Sequence, residues 1–82
     1  MVTSYRRSFR PKEYVDIEDV LCTRESDKAL LCVINNDETW VPKSQIDMDE
    51  SEVKAEGDEG TLVLSKWFAE KINVPERLMS EH

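Results

Sequence analysis

The chain has 82 residues, a formal net charge of −7 and a charged fraction of 35%, which limits it to one small domain. Its longest apolar run, ALLCVI at residues 29–34, is far shorter than the roughly 18–20 residues that span a bilayer. The basic first residues are not followed by the apolar stretch of a secretory signal. We therefore expect an intracellular protein that does not associate with membranes.

The charge is unevenly distributed along the chain. Residues 1–12 carry four basic residues and no acid, whereas residues 13–82 carry 7 basic and 18 acidic residues, a net charge of −11. We interpret residues 1–12 as a basic flexible arm, residues 13–75 as a single small β-rich domain and residues 76–82 as a C-terminal tail. Such asymmetry bears on partners and solubility rather than on the fold.

The first predicted elements are strands. Residues 14–23 alternate apolar and polar positions, interrupted at Glu18 and Asp19, where we expect a β-bulge. A polar turn follows over residues 25–28. The continuous apolar run at residues 29–34 is typical of a strand that is buried on both faces, or of a central strand in a small barrel.

A hairpin is predicted next. Residues 35–38 are expected to form a four-residue loop that leads into a return strand over residues 39–41, which Pro42 ends. That loop length places Val33 opposite Trp40. The turn at residues 25–28 joins the first two predicted strands, so the three strands together form an antiparallel meander.

The register across that preceding turn places Cys22 opposite Cys32 and Leu21 opposite Val33. We expect the two cysteines to be buried thiols, because an intracellular protein rarely keeps a structural disulfide. A redox-sensitive bridge between them is the alternative.

The second half of the domain is predicted in less detail. Residues 44–46 suggest either a short helical turn or a bend into the acidic run, and Val53 is expected to head a short strand. Residues 57–60 form a turn, because glycine accepts positive φ angles at low cost, and residues 61–64 form a strand.

A single helix is predicted over residues 66–72. Ser65 is its expected N-cap, and Trp67 and Phe68 are expected to lie in or beside the core. The predicted fold class is therefore mostly β with one short helix (α+β), arranged as a small antiparallel meander or an SH3-like or OB-like barrel. The alternative is an open antiparallel sheet packed on one helix.

The inventory of reactive side chains argues against an enzyme. His82 is the only histidine, no glycine-rich phosphate loop is present, and the serines have no neighbouring base. A structural zinc ion needs four Cys or His ligands at fixed spacings, and the chain has three such residues. We expect neither a metal nor a cofactor.

The densest run of acids is the candidate binding site. A carboxylate array offers negative oxygens to Lys and Arg side chains as phosphates do, so this run could dock on a basic protein surface. A solvated loop is the alternative interpretation. The candidate partner-binding residues are Asp47, Asp49, Glu50, Glu52, Glu56, Asp58 and Glu59.

Two other interpretations remain open. In the first, a small β-barrel binds single-stranded nucleic acid by stacking a base on Trp40 and holding phosphate with Lys43, although the net charge disfavours it. The basic arm would help through Arg6, Arg7 and Arg10. A simpler interpretation of Trp40 is that its ring caps the core and binds nothing. In the second, the exposed end of the meander pairs with another copy, giving a homo-oligomeric structural protein.

Three segments carry a family resemblance: WVPKSQ at residues 40–45, GTLVL at residues 60–64 and WFAEK at residues 67–71. Together they resemble small uncharacterised proteins of phages and prophages, which pair a W-[VI]-P-K-S-Q segment with a strand and a W-[LF]-A-x-K helix. The resemblance covers about residues 28–74. It implies a phage-type accessory protein in the bacterial cytoplasm, without implying a mechanism.

Our first hypothesis combines the charge layout with this resemblance. The chain would be a non-enzymatic phage-type binding protein whose acidic surface docks on a positively charged partner. A host nucleic-acid-binding protein or a defence complex of the CRISPR type would be such a partner, and the domain would compete there with DNA or RNA.

Overall fold

The computed structural model describes residues 13–82, and the predicted basic arm at residues 1–12 lies outside them. The predicted fold class is confirmed, since the described residues are mostly β with one short helix. The strands are β1 Tyr14–Glu25, β2 Ala29–Ile34, β3 Asp37–Pro42, β4 Glu59–Ser65 and β5 Met79–Glu81. The α-helix is α1 Lys66–Lys71, and two 3-10 helices cover Lys43–Gln45 and Glu76–Leu78.

The strands form one antiparallel sheet in the order β3-β2-β1-β4, with β5 added beside β1. β4 pairs along one side of β1, so β5 and β2 share the other side, β5 beside the first half and β2 beside the second. The sheet stays open, so the expected barrel is not formed and the alternative open sheet is observed. Residues 79–81, placed in the predicted tail, extend this sheet.

The predicted bulge in β1 is confirmed. The register with β4 shifts between Ile17 and Val20, and Asp19 has a φ of 61°. The extra residue turns Val20 and Cys22 to the same buried side as Ile17. Both halves of β1 therefore contribute buried side chains to the core.

The predicted hairpin is present, but its register differs from the expectation. Asn35 and Asn36 have φ angles of 54° and 69°, as the tight two-residue turns of hairpins require. Trp40 consequently lies opposite Leu31 rather than Val33. The four-residue loop was wrong because asparagine at both central positions tolerates the left-handed backbone that a shorter turn demands.

β2 is buried on one face only, which corrects the expectation of burial on both. Leu30, Cys32 and Ile34 are buried, while the residues between them are half-buried. Their face packs with β1, β4 and α1 in a single hydrophobic core. Each fully buried Val, Leu or Ile side chain stabilises the fold by about 1.5–3 kcal/mol.

The helix closes that core. Ser65 Oγ accepts a hydrogen bond from the Phe68 backbone N–H at 3.2 Å, which confirms the predicted N-cap. Phe68 and Ala69 are buried, but Trp67 is 59% exposed. The prediction that Trp67 lies in or beside the core was wrong, because a six-residue helix turns only one narrow side towards the sheet.

Among residues 13–82, no helix has the length and apolar character needed to cross a membrane.

Candidate functional site

The acidic run at residues 47–59, hereafter the acidic segment, is attached to the free edge of β4. The Asp47 backbone N–H donates to the Val63 carbonyl at 2.9 Å, and the Glu52 N–H donates to the Thr61 carbonyl at 2.8 Å. An isolated bridge joins Ile46 to Leu64 just before the segment begins. The segment therefore covers a sheet edge that would otherwise be open.

Two buried residues anchor the acidic segment. Val53 is fully buried, but no strand begins there, so the expected short strand at Val53 is absent. The Ser51 hydroxyl, also buried, donates to the Val53 carbonyl at 2.9 Å and accepts from the Val53 and Val63 backbone N–H groups, each at 3.2 Å. Sequence reasoning missed Ser51, because a serine among acids looks like one more solvated residue.

Three of the predicted site carboxylates bind the backbone of the segment or of β4. Asp47 Oδ1 accepts from the Asp49 backbone N–H at 3.2 Å, and Glu52 Oε1 accepts from the Thr61 N–H at 2.8 Å. Asp58 Oδ2 accepts from two successive N–H groups, at residues 54 and 55, each at 3.0 Å. These three acids therefore hold the backbone of the segment in place and also add to its negative charge.

The other four predicted carboxylates face solvent: Asp49, Glu50, Glu56 and Glu59. Within residues 13–82, the side chains of Asp49, Glu56 and Glu59 form neither a hydrogen bond nor an ion pair. Their oxygens are available to a partner. The structure thus divides the predicted site into acids that hold the segment and acids that the segment displays.

His82 joins the acidic segment to the rest of the sheet. Its Nδ1 lies 2.7 Å from Asp16 Oδ1, and its Nε2 lies 3.7 Å from Glu50 Oε1. The histidine therefore links the end of β5 with β1 and with the acidic segment. Sequence reasoning missed this contact, because its partners are far away along the chain.

A second polar cluster lies where the β1–β2 turn meets the acidic segment. Lys43 Nζ lies 2.7 Å from Glu25 Oε2, while Glu25 Oε1 accepts from the Glu56 backbone N–H at 3.3 Å. These two contacts, the lysine first, lower the pKa of Glu25 below its ordinary value. The cluster lines an open groove of about 350 Å³ together with Ser26 and Asp27.

This cluster bears on the nucleic-acid alternative. The ammonium group of Lys43, the predicted phosphate ligand, is engaged by a carboxylate. Trp40 is 48% exposed on the face opposite the core, so the expectation that it caps the core was wrong. Arg6, Arg7 and Arg10 lie outside the described residues. Of that predicted set, the described residues leave the exposed ring of Trp40 available.

The predicted pairing of Cys22 with Cys32 is confirmed, as is that of Leu21 with Val33. Both thiols are free and fully buried, and the Cys22 thiol donates to the Arg24 carbonyl at 3.0 Å. Burial raises the pKa of both thiols, that of Cys32 to about 12. Both cysteines therefore act as small core residues.

Across residues 13–82, no group of three or more His, Cys, Asp or Glu side chains is arranged to hold a metal ion.

Comparison with models of protein families, with curated proteins and with solved structures finds no match. The resemblance to phage proteins therefore stays a prediction.

Proposed function

We propose that this chain is a non-enzymatic binding protein whose acidic segment docks on a basic surface of a protein partner. The observation that supports this most directly is the attachment of the segment to β4. The backbone that carries its solvent-facing carboxylates is hydrogen-bonded to β4. A surface ordered before binding loses less conformational entropy when it meets its partner.

The charge of the described chain adds a second argument. A net charge of −11 over residues 13–82 raises the rate of encounter with a basic partner and suppresses encounters with acidic ones. Carboxylates pair with Arg and Lys in the geometry that phosphates use. The partner class that fits best is a protein whose basic surface normally holds DNA or RNA.

The resemblance to phage proteins narrows the proposal to a bacterial host. The partner would be a host nucleic-acid-binding protein or a defence complex of the CRISPR type, and this chain would act as its inhibitor by occupying the nucleic-acid groove. The site of action would be the bacterial cytoplasm.

The test separates local charge from total charge. The loop variant replaces the four displayed acids: Asp49→Asn, Glu50→Gln, Glu56→Gln and Glu59→Gln. It keeps Asp47, Glu52 and Asp58, which hold the backbone of the segment and of β4. The control variant makes the same change in net charge at exposed acids elsewhere: Asp27→Asn, Asp37→Asn, Glu70→Gln and Glu76→Gln.

Each protein is immobilised and exposed to nuclease-treated bacterial lysate at about 50 mM and about 300 mM salt, since exposed charge pairs weaken with ionic strength. We expect wild type and the control variant to capture the same protein at low salt, and the loop variant to lose it. Duplex DNA or RNA should displace the captured protein. Equal capture by the loop and control variants would contradict the proposal.

A further inference from the structure

The strand register brings a second set of exposed side chains together on the face opposite the core. One row crosses β3, β2, β1 and β4, with the pairs Glu38–Val33, Val33–Leu21 and Leu21–Glu59. Side chains opposite one another in such ladders project from the same face. A second row crosses three strands as Trp40, Leu31 and Arg24. We name these two rows the outer face.

The outer face has an apolar centre and an acidic edge. Trp40 is 48% exposed and Leu21 is 37% exposed, while Leu31 and Val33 between them are half-buried. Exposed Glu38 and Glu59 end the first row on both sides. The core and α1 lie on the other face of the sheet, so within residues 13–82 no element covers this centre. Contiguous exposed apolar side chains with a charged rim are typical of protein interfaces.

A notch in the sheet continues the outer face towards β5. The β5 ladder with β1 stops at Ile17, and the β2 ladder on the same side starts at Leu21. The interval holds the bulge, and a groove of about 210 Å³ opens there. Its lining residues are Glu18, Asp19, Val33, Asn35, Asn36 and Leu78.

The composition of the notch suits a long basic side chain. Two exposed carboxylates, Glu18 and Asp19, stand beside the apolar side chains of Val33 and Leu78. Lys and Arg pack an aliphatic stem on apolar surface while the charged end pairs with a carboxylate. Val33 belongs to both the notch and the outer face, so the two form one continuous surface.

We propose that the outer face and its notch bind a basic polypeptide that places an apolar side chain against Trp40 and Leu21. Lys or Arg side chains of that polypeptide would pair with four acids: Glu18, Asp19, Glu38 and Glu59. This inference rests on the proposed function and deepens it, because it gives the basic partner an apolar anchor. Tryptophan is among the residues that most often dominate binding energy when an interface buries them.

The charges on this surface select that occupant over two others. A nucleic acid would meet four carboxylates and the single cation Arg24, so its phosphates would be repelled. A second copy of the chain would bring the same carboxylates face to face. A basic polypeptide with an apolar residue matches both the acidic rim and the apolar centre.

The two tryptophans make a direct test available by NMR, since each indole N–H gives its own signal. Trp40 lies on the proposed surface, and Trp67 is exposed elsewhere, on α1. The probes are a nine-residue peptide of alternating Arg and Leu, a matched peptide of Arg and Ser, and a single-stranded oligonucleotide.

We expect the Arg–Leu peptide to shift the Trp40 indole and the amides of residues 20–24 and 31–33, without moving Trp67. The affinity of the Arg–Ser peptide should be lower by at least about tenfold, because this peptide lacks the apolar anchor. Equal binding of both peptides, or movement of Trp67 alone, would overturn the proposal. Stronger shifts by the oligonucleotide, or shifts that appear on concentrating the protein alone, would indicate the other occupants and would also overturn it.

Two variants separate this inference from the proposed function. Trp40→Thr removes the indole ring and introduces a residue that is common in strands. Its matched control is Trp67→Ala, which removes the other exposed ring and introduces a residue that is common in helices. In the lysate experiment, Trp40→Thr should lose the captured protein at low salt and Trp67→Ala should keep it. For this comparison the loop variant retains Glu59, because Glu59 also ends the first row of the outer face. If Trp40→Thr keeps the partner while this loop variant loses it, the proposed function stands and this inference fails. The reverse result would retain the outer face and reject the acidic segment.

Discussion

Glu52 occupies the space in which a side chain at position 60 would lie. Its Oε1 accepts a hydrogen bond from the Thr61 N–H at 2.8 Å, and a methyl group on Gly60 would come within 2.5 Å of the same oxygen. Gly60 also has a φ of 143°, which side-chain-bearing residues rarely adopt. The Glu52 side chain thus reaches β4 across a space that a side chain at position 60 would enter.

Gly60→Ala should therefore destabilise the fold more than Gly57→Ala does. Gly57 has a φ of 93° with nothing within 4 Å of the added methyl group, so its substitution introduces only backbone strain, of order 1–3 kcal/mol. Urea denaturation of both variants measures the difference. Combining Gly60→Ala with Glu52→Ala should be less destabilising than the sum of the two changes. Strict additivity would contradict the proposed clash.

Ser51→Ala should lower the free energy of unfolding by about 1–3 kcal/mol, because it removes the hydroxyl that hydrogen-bonds the Val53 carbonyl and the Val63 N–H. Ser44→Ala, at an exposed position, serves as the control and should change stability by less than about 0.5 kcal/mol. Denaturant titration gives both values. A Ser51→Ala protein as stable as wild type would mean that the hydroxyl does not anchor the acidic segment.

Glu25 should make stability depend on pH in the acid range. Lys43 and the Glu56 N–H lower the pKa of Glu25 below its ordinary value of 4.5. The stabilisation of the folded state by ionised Glu25 is complete at pH values above that ordinary pKa, and it disappears as the pH falls through the lowered folded pKa. Glu25→Gln should therefore be less stable than wild type at pH 7, and the difference should disappear once the pH falls below the lowered folded pKa of Glu25. Asp27→Asn, at an exposed neighbour, is the control; a difference that persists in acid would contradict the assignment.

Cys22 and Cys32 should resist thiol reagents while the protein is folded. Raising the pKa of Cys32 from 9.0 to about 12 lowers its thiolate fraction at pH 8 by about a thousandfold, and burial blocks access. Iodoacetamide labelling followed by mass spectrometry should show no adduct in the native state and two adducts in urea. Rapid labelling of the folded protein would show that the meander opens readily.

The meander was largely predictable because its signals are local. Alternating apolar residues, the polar turn and the apolar run at residues 29–34 each depend on neighbours in the sequence. The register that pairs Cys22 with Cys32 followed from the length of one turn and is confirmed. The register of the next hairpin depended on whether Asn35 and Asn36 both take positive φ, which their identity permits without requiring.

The candidate site was predictable in composition but not in layout. The sequence identified the seven acids of residues 47–59, but it could not separate those that bind backbone from those that face solvent. That division depends on which N–H groups β4 places within reach, such as the Thr61 N–H near Glu52. The role of Ser51 depends on the same strand.

The sequence by itself determined the charge asymmetry, the mostly β character, the bulge in β1 and the cap of α1, because each follows from composition or from contacts between near neighbours. Only the tertiary structure decided that the sheet stays open, that β5 joins it and that the acidic segment covers the edge of β4. It also decided that Trp40 and Leu21 share an exposed face with acids at its edge. These features depend on pairings between distant segments, and the free energy of such pairings is set by the whole packed core rather than by any local pattern.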